Sequence, residues 1–347
     1  MTVKQTYESL LEAKRPFDFF GEASTAEALK KAYRQYARSI HPDIVADEDK
    51  YIADEAFALL NALYNQGLDE IGQGIYGVVD TLQIYQHMTP LFELEIGNEQ
   101  YRFYENVFQG EVANIYRGVS KDAIVYLKVA LDPADNDLLK TEYDTLTLLR
   151  HHSLPYVERR IKVNDSIAIL MREVKGTPMT EILEQYSNGV PAEHVMWMLE
   201  RLLGVVGYLH ANCVVHGNIK PENIIINKAN HDVGLMGFSF CIPQANQPQA
   251  RYKIVNDDYT APEVDGKARV MPCSDVYSIG KLAVALLGGD VASGGMPIAL
   301  DRRIRDFIRK MLSPAKDGRP NDAWGLWREL VKLRVDVFGP KHFKVFE

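Results

Sequence analysis

The sequence predicts an α+β multidomain chain: an α-helical N-terminal module, then a body in two lobes, a small β-rich one and a larger helical one. Three observations carry this. Residues 24–66 repeat apolar side chains at helical spacing in two stretches, on either side of His41-Pro42-Asp43. Residues 99–173 turn to β-branched and aromatic alternation, broken by one helical run, LLKTEYDTLTLLR. After Gly176 the pattern is mainly helical to the end. The expected divisions are 1–67, a connector over 68–98, a small lobe over 99–174 and a large lobe over 175–347.

The first helical stretch, STAEALKKAYRQYARSI, opens on Ser24 with Glu27 three positions later, a capping-box pattern that satisfies free backbone N–H groups. Leu29, Ala32, Tyr33 and Tyr36 share one face, and Lys30, Lys31, Arg34 and Arg38 populate the other. Pro42 disfavours helix in the residue before it, so the helix is expected to end near His41. The second stretch repeats apolar residues at Tyr51, Phe57, Leu60 and Tyr64, with Gly67 as its expected stop. Residues 68–98 mix glycines with apolar residues and carry no polar linker signature.

Bulk composition narrows the function classes. Apolar residues make up 46% and charged residues 25% of the 347, an ordinary globular balance. A net charge of -8 argues against a basic nucleic-acid surface. Cys213, Cys241 and Cys273 are odd in number and widely spaced, which is neither a disulfide framework nor a zinc pattern and fits a reducing compartment. The opening MTVKQTYESLLEAKRPF interrupts its apolar residues with charge, unlike a signal-peptide core. No segment approaches the roughly 18 apolar residues of a membrane span. The expected setting is cytoplasmic, with neither nucleic acid nor membrane as partner.

A basic amphipathic helix ending in His-Pro-Asp, an acidic ADEDK loop and a second amphipathic helix, preceded by FDFFGEAST, resemble the J domain of Hsp70 co-chaperones over about residues 6–67. The proline fixes the turn, and His41 and Asp43 are presented at its tip. The basic face of Lys30, Lys31, Arg34 and Arg38 can steer toward an acidic partner. The resemblance implies that His41, Pro42 and Asp43 stimulate the ATPase of an Hsp70-type chaperone. The simpler account is a helical hairpin with a proline turn and a solvated basic face.

Residues 215–226, VHGNIKPENIII, stand where protein kinases carry H-R-D-x-K-P-x-N. His216, Lys220, Pro221 and Asn223 match, but the base position holds Asn218, whose amide cannot accept a proton as a base. In VGLMGFSFC, Gly237, Phe238 and Ser239 take the places of D-F-G, and glycine offers a divalent cation no side-chain oxygen. Lys128 ends VYLK, at the V-A-I-K position, with Glu142 at the place of its ion-pair partner. Ala261-Pro262-Glu263 matches A-P-E, Arg319 stands where the partner of that glutamate usually sits, and Asp275 in SDVYSIG matches the structural Asp of the central large-lobe helix. The hinge is expected at Arg172 to Val174. Together these motifs resemble a protein kinase over about residues 99–335 and imply its bilobal fold.

Residues 72–79, GQGIYGVV, fit a phosphate-loop pattern letter for letter, yet lie far upstream of Lys128 and are assigned to the connector. The loop at the right distance is FQGEVANIYRGV, residues 108–119, where Gly110 alone survives among the glycines, with Phe108 and Ala113 in the other places. Side chains there reduce close backbone approach to phosphates.

The reading is a J-domain pseudokinase whose J domain recruits an Hsp70-type chaperone. Its kinase-like body is a scaffold or regulatory module for a client or larger assembly. ATP is the ligand the resemblance suggests, through Gly110, Lys128, Glu142, Lys220 and Asn223, with Mg²⁺ binding weakened and only Asn223 left as a metal ligand. A structural ion pair accounts for Lys128 and Glu142 equally well. The alternative is a divergent ATP-dependent phosphotransferase, which would need a carboxylate supplied from elsewhere in space. No residue announces itself in the sequence as that carboxylate.

Overall fold

A computed structural model describes residues 2–13, 15–21, 23, 25–41, 45, 50–72, 76, 85, 88–121, 123–253, 257–264, 268–340 and 346. The chain divides into two compact units, one of residues 1–104 with 119–123, the other of 105–118 with 124–347.

The first unit opens on helices α1 (Val3–Glu12), α2 (Pro16–Phe20), α3 (Ala26–Ile40) and α4 (Lys50–Gly72). Their apolar faces enclose a core around Leu10, Phe20, Leu29, Ile40, Ala56 and Leu60. Ala32, Tyr33, Tyr36, Phe57 and Tyr64 pack against it. Tyr51, read as an apolar-face residue, is instead exposed. The cap of α3 falls one residue later than the Ser24 pattern predicts: the Thr25 hydroxyl accepts the Ala28 N–H at 3.2 Å, and Ser24 lies outside the described residues. The helix does end where predicted, with His41 extended as its C-cap.

Gly67 does not stop α4, which runs on to Gly72. Its service is close approach: a Cβ there would lie 2.7 Å from Leu29 Cδ2 and 3.2 Å from Pro16 Cβ. The helix therefore needs glycine in mid-course, at some cost in helix propensity. Of the segment 72–79, the residues 73–75 and 77–79 lie outside the described set. Tyr76 is buried in this helical core and its hydroxyl donates to the Gly21 carbonyl at 3.0 Å. The strand β1 (Phe92–Ile96) falls within the expected connector and pairs antiparallel with β2 (Glu99–Gln109), from Phe92 opposite Phe103 to Ile96 opposite Glu99.

In the second unit the chain turns from β2 at Gly110, whose N–H donates to the Ala113 carbonyl at 3.0 Å, into β3 (Ala113–Ser120). β4 (Ala123–Ala130), β6 (Ser166–Arg172) and β5 (Val157–Val163) follow in antiparallel order. The helix α5 (Asn136–Leu148) covers them through buried Leu139 and Leu146. A three-stranded sheet of β7 (Thr177–Pro178), β8 (Ile224–Asn227) and β9 (Asp232–Leu235) interrupts the helical part. That part comprises α6 (Met179–Gln185), α7 (Ala192–Ala211), α8 (Cys273–Leu286), α9 (Arg302–Met311) and α10 (Ala323–Phe338). The two most central helices, α7 and α8, are apolar nearly all round, as buried helices are.

Candidate functional site

The loop from His216 to Asn223 is shaped from below by one carboxylate. Asp275, in the first turn of α8, accepts the His216 N–H at 2.8 Å and the Gly217 N–H at 2.9 Å, and meets His210 Nε2 at 2.9 Å. Burial pushes its carboxyl pKa up, but the His210 hydrogen bond and charge, with these N–H groups, outweigh that and hold it below the usual range. His216 is fully buried. Its Nε2 lies 2.8 Å from the Met236 carbonyl, which only accepts, so Nε2 carries the hydrogen. Nδ1 then accepts the Asn218 N–H at 3.3 Å. Burial lowers the imidazole pKa against the opposing pull of Asp275 and the Met236 carbonyl, so the ring is neutral. It packs edge-on against the buried Phe238 ring, 4.6 Å between centroids.

Asn218 and Asn223 are tied to one another. Asn223 Nδ2 donates to the Asn218 carbonyl at 2.8 Å. Asn218 Oδ1 is buried, with no hydrogen-bond partner among the described residues. Gly237 stands in the left-handed region, φ 79°, and a Cβ built there would lie 2.2 Å from Asn223 Oδ1. The Asn223 amide thus fills the space where an aspartate at 237 would begin. A Mg²⁺ ion wants several anionic oxygens in near-octahedral array; Asn223 and Gly237 together offer it one amide oxygen and no carboxylate. The residues do not fit that metal.

Lys128 and Glu142 form the expected pair, Nζ to Oε2 2.6 Å, with exposures of 7% and 1%. The sequence does not foretell the third member. Ser239 Oγ accepts from Lys128 Nζ at 2.8 Å and donates to Glu142 Oε2 at 2.8 Å. Behind it Lys253 Nζ donates to the Ser239 carbonyl at 3.4 Å. Burial lowers the Lys253 pKa, against Glu142 and Asp137, which favour its charged form.

Asp257 is a second residue that motif reading passes over. Its Oδ2 lies 3.5 Å from Lys220 Nζ, and its Oδ1 accepts from the Thr260 hydroxyl at 2.9 Å. Asp257 and Asn218 line one small cavity of about 10 Å³, room for about one water oxygen. The only signal for it is its place six residues before Glu263, which gives distance along the chain but not direction.

Arg319 grips Glu263 with two bonds, Nη1 to Oε1 2.7 Å and Nη2 to Oε2 3.0 Å, and Nη1 also donates to the Cys273 carbonyl at 2.9 Å. In the first unit the His41 ring lies 5.1 Å from that of Phe57. Lys30, Lys31, Arg34 and Arg38 are all exposed. Pro42 and Asp43 lie outside the described residues.

The family model for the protein kinase domain matches residues 101–294, more than half of the chain. The chain therefore belongs to the protein kinase domain family. Among curated relatives it is similar to the serine/threonine-protein kinase dkf-2 of Caenorhabditis briggsae, 25% identical over 66% of this chain and 19% of the relative. It is 26% identical to the serine/threonine-protein kinase PAK mbt of Drosophila melanogaster, over 56% of this chain and 30% of the relative. It is 25% identical to cyclin-dependent kinase 14 of Xenopus tropicalis, over 71% and 59% respectively. The chain spans less than two thirds of the length of each. No described helix is long and apolar enough to cross a membrane.

Proposed function

We propose that the chain is a non-catalytic J-domain pseudokinase of the reducing cytoplasm. Its N-terminal helices recruit and stimulate an Hsp70-type chaperone, and the kinase-fold body serves as scaffold for a client or larger assembly. The observation that carries the non-catalytic half is the Asn223 amide packed over Gly237, 2.2 Å from where a Cβ would stand. That side chain is committed to the loop through Asn218, which is itself an amide where proton acceptance needs a base. The chaperone half rests on a basic helix α3 that ends at His41 and leaves Lys30, Lys31, Arg34 and Arg38 free to meet solvent.

Two measurements test it. Full-length protein should raise the steady-state ATPase rate of an Hsp70, and His41→Gln should abolish that rise; no rise with wild type would sink the chaperone role. Incubation with labelled ATP and Mg²⁺ or Mn²⁺ should leave the protein and general acceptor proteins unlabelled.

One observation favours a second reading, a divergent serine/threonine-kinase-like phosphotransferase. Asp257 brings a carboxylate to the cavity that Asn218 lines, 3.5 Å from Lys220. In that reading Asp257, in place of residue 218, accepts the proton of a hydroxyl acceptor. Metal-dependent labelling that Asp257→Asn removes and Asn218→Ala spares would establish it.

A further inference from the structure

Glu142 is almost wholly removed from solvent, and a desolvated carboxylate needs its lone pairs met. Lys128 supplies one contact, and its own ammonium has further donors to place. A hydroxyl can accept from the ammonium and donate to the carboxylate at once, which neither a glycine nor an alanine at that position can do. Ser239 does both, closing a ring of three contacts at 2.6, 2.8 and 2.8 Å. The members come from β4, from α5 and from the short helical turn Phe238–Phe240. Lys253 adds a fourth segment through the Ser239 carbonyl, and Cys241 Sγ reaches the Thr145 hydroxyl of α5 at 3.6 Å.

We propose that Ser239 stands in for a nucleotide at the Lys128–Glu142 pair, so that the kinase-fold body keeps its small-lobe helix docked with no ligand bound. A phosphate oxygen approaching Lys128 would have to displace a hydroxyl that is only 3% exposed and holds both partners. The proposal rests on the non-catalytic reading and deepens it: the body is a constitutively closed scaffold, deaf to nucleotide. It also names the residue that makes it so.

The test uses the full chain and thermal unfolding with ATP, with and without Mg²⁺. Wild type should melt at one temperature whatever the nucleotide. Ser239→Gly should melt lower without ligand and rise when ATP is added, because specific binding to the folded state stabilises it by mass action. Ser239→Thr, which keeps the hydroxyl, should behave as wild type. A wild-type rise with ATP overturns the proposal, as does a Ser239→Gly protein that melts like wild type and ignores ATP. If Ser239→Gly does not fold, amide exchange on wild type decides: α5 should be protected equally with and without ATP, and added protection on ATP overturns the assignment. An ATP-induced rise of the wild type without phosphate incorporation would remove only this role of Ser239. Incorporation by wild type would remove the non-catalytic reading as well.

Discussion

Asp275 and Asn218 belong to one network and are used in opposite ways. The Asp275 carboxylate takes two backbone N–H groups and a histidine ring. The Asn218 side-chain oxygen, buried above the same loop, meets nothing among the described residues. The first residue gives the loop its shape, and the second occupies the place where a base would work. Glu263 with Arg319 belongs with Asp275, and Gly237 with Asn218. The lesson is that architecture and chemistry in this fold are separable. The acids that fix backbone are satisfied from within the protein, so they hold their geometry whether or not the cleft does anything. At the two positions where the family motifs carry an acid, this chain holds an amide, Asn218, and a glycine, Gly237.

The comparison can be broken first at its strongest point. Arg319→Ala leaves Glu263 and the Cys273 carbonyl without their buried partner, and breaking such a pair typically costs about 3–5 kcal/mol. Urea unfolding of the full chain should show that loss in the transition of the second unit. An unchanged midpoint would mean that the pair is not what holds the segment after the cleft.

A smaller effect is expected at the chemical positions. Gly237→Asp places a Cβ against the Asn223 amide and a side chain at φ 79°, strain of about 1–3 kcal/mol. Combined with Asn218→Asp it restores both acids in sequence. Phosphate incorporation should nevertheless stay at background while Asn223 and Ser239 keep their present bonds. Robust labelling by the double variant would show that two letters alone separate this body from an active enzyme.

The smallest effect is a pH slope. The folded pKa of His216 lies below its ordinary 6.5. Above that pH both states are neutral and the group contributes no slope. Below it the unfolded chain takes up a proton that the folded chain refuses, so stability falls, at most by about 1.4 kcal/mol per pH unit. Asp275 acts in the same direction, but only as the pH nears its ordinary 3.8. The melting temperature should therefore drop between pH 6.5 and 5, and His216→Asn should flatten that part of the curve.

Much of the second unit was legible because kinase landmarks are local strings whose spacing implies their partners. VYLK followed by a helix with Glu142 announces the ion pair, and APE with a later arginine announces the other. What the strings hide is any residue that works across them. Ser239 reads as a worn glycine until its hydroxyl is seen bridging Lys128 and Glu142, which lie 111 and 97 residues away. Asp257 reads as a loop acid until it meets Lys220. Gly67 fails in the other direction. Glycine after a helical repeat is a sound stop signal, but here tertiary packing against Leu29 overrides it and the helix continues. Thr25 in place of Ser24 is a one-step shift between two residues that cap helices almost equally well.

The three contacts on Asp275 have a consequence for the order in which the chain assembles. The amides of His216 and Gly217 have no partner until α8 brings that carboxylate beneath them, some 58 residues further along the chain. The loop cannot set early and wait. Its two amides should exchange with solvent only when α8 itself comes away, at the slow rate of the most protected core. A stretch that looks like surface loop would thus report, in an exchange experiment, on the integrity of the innermost helix.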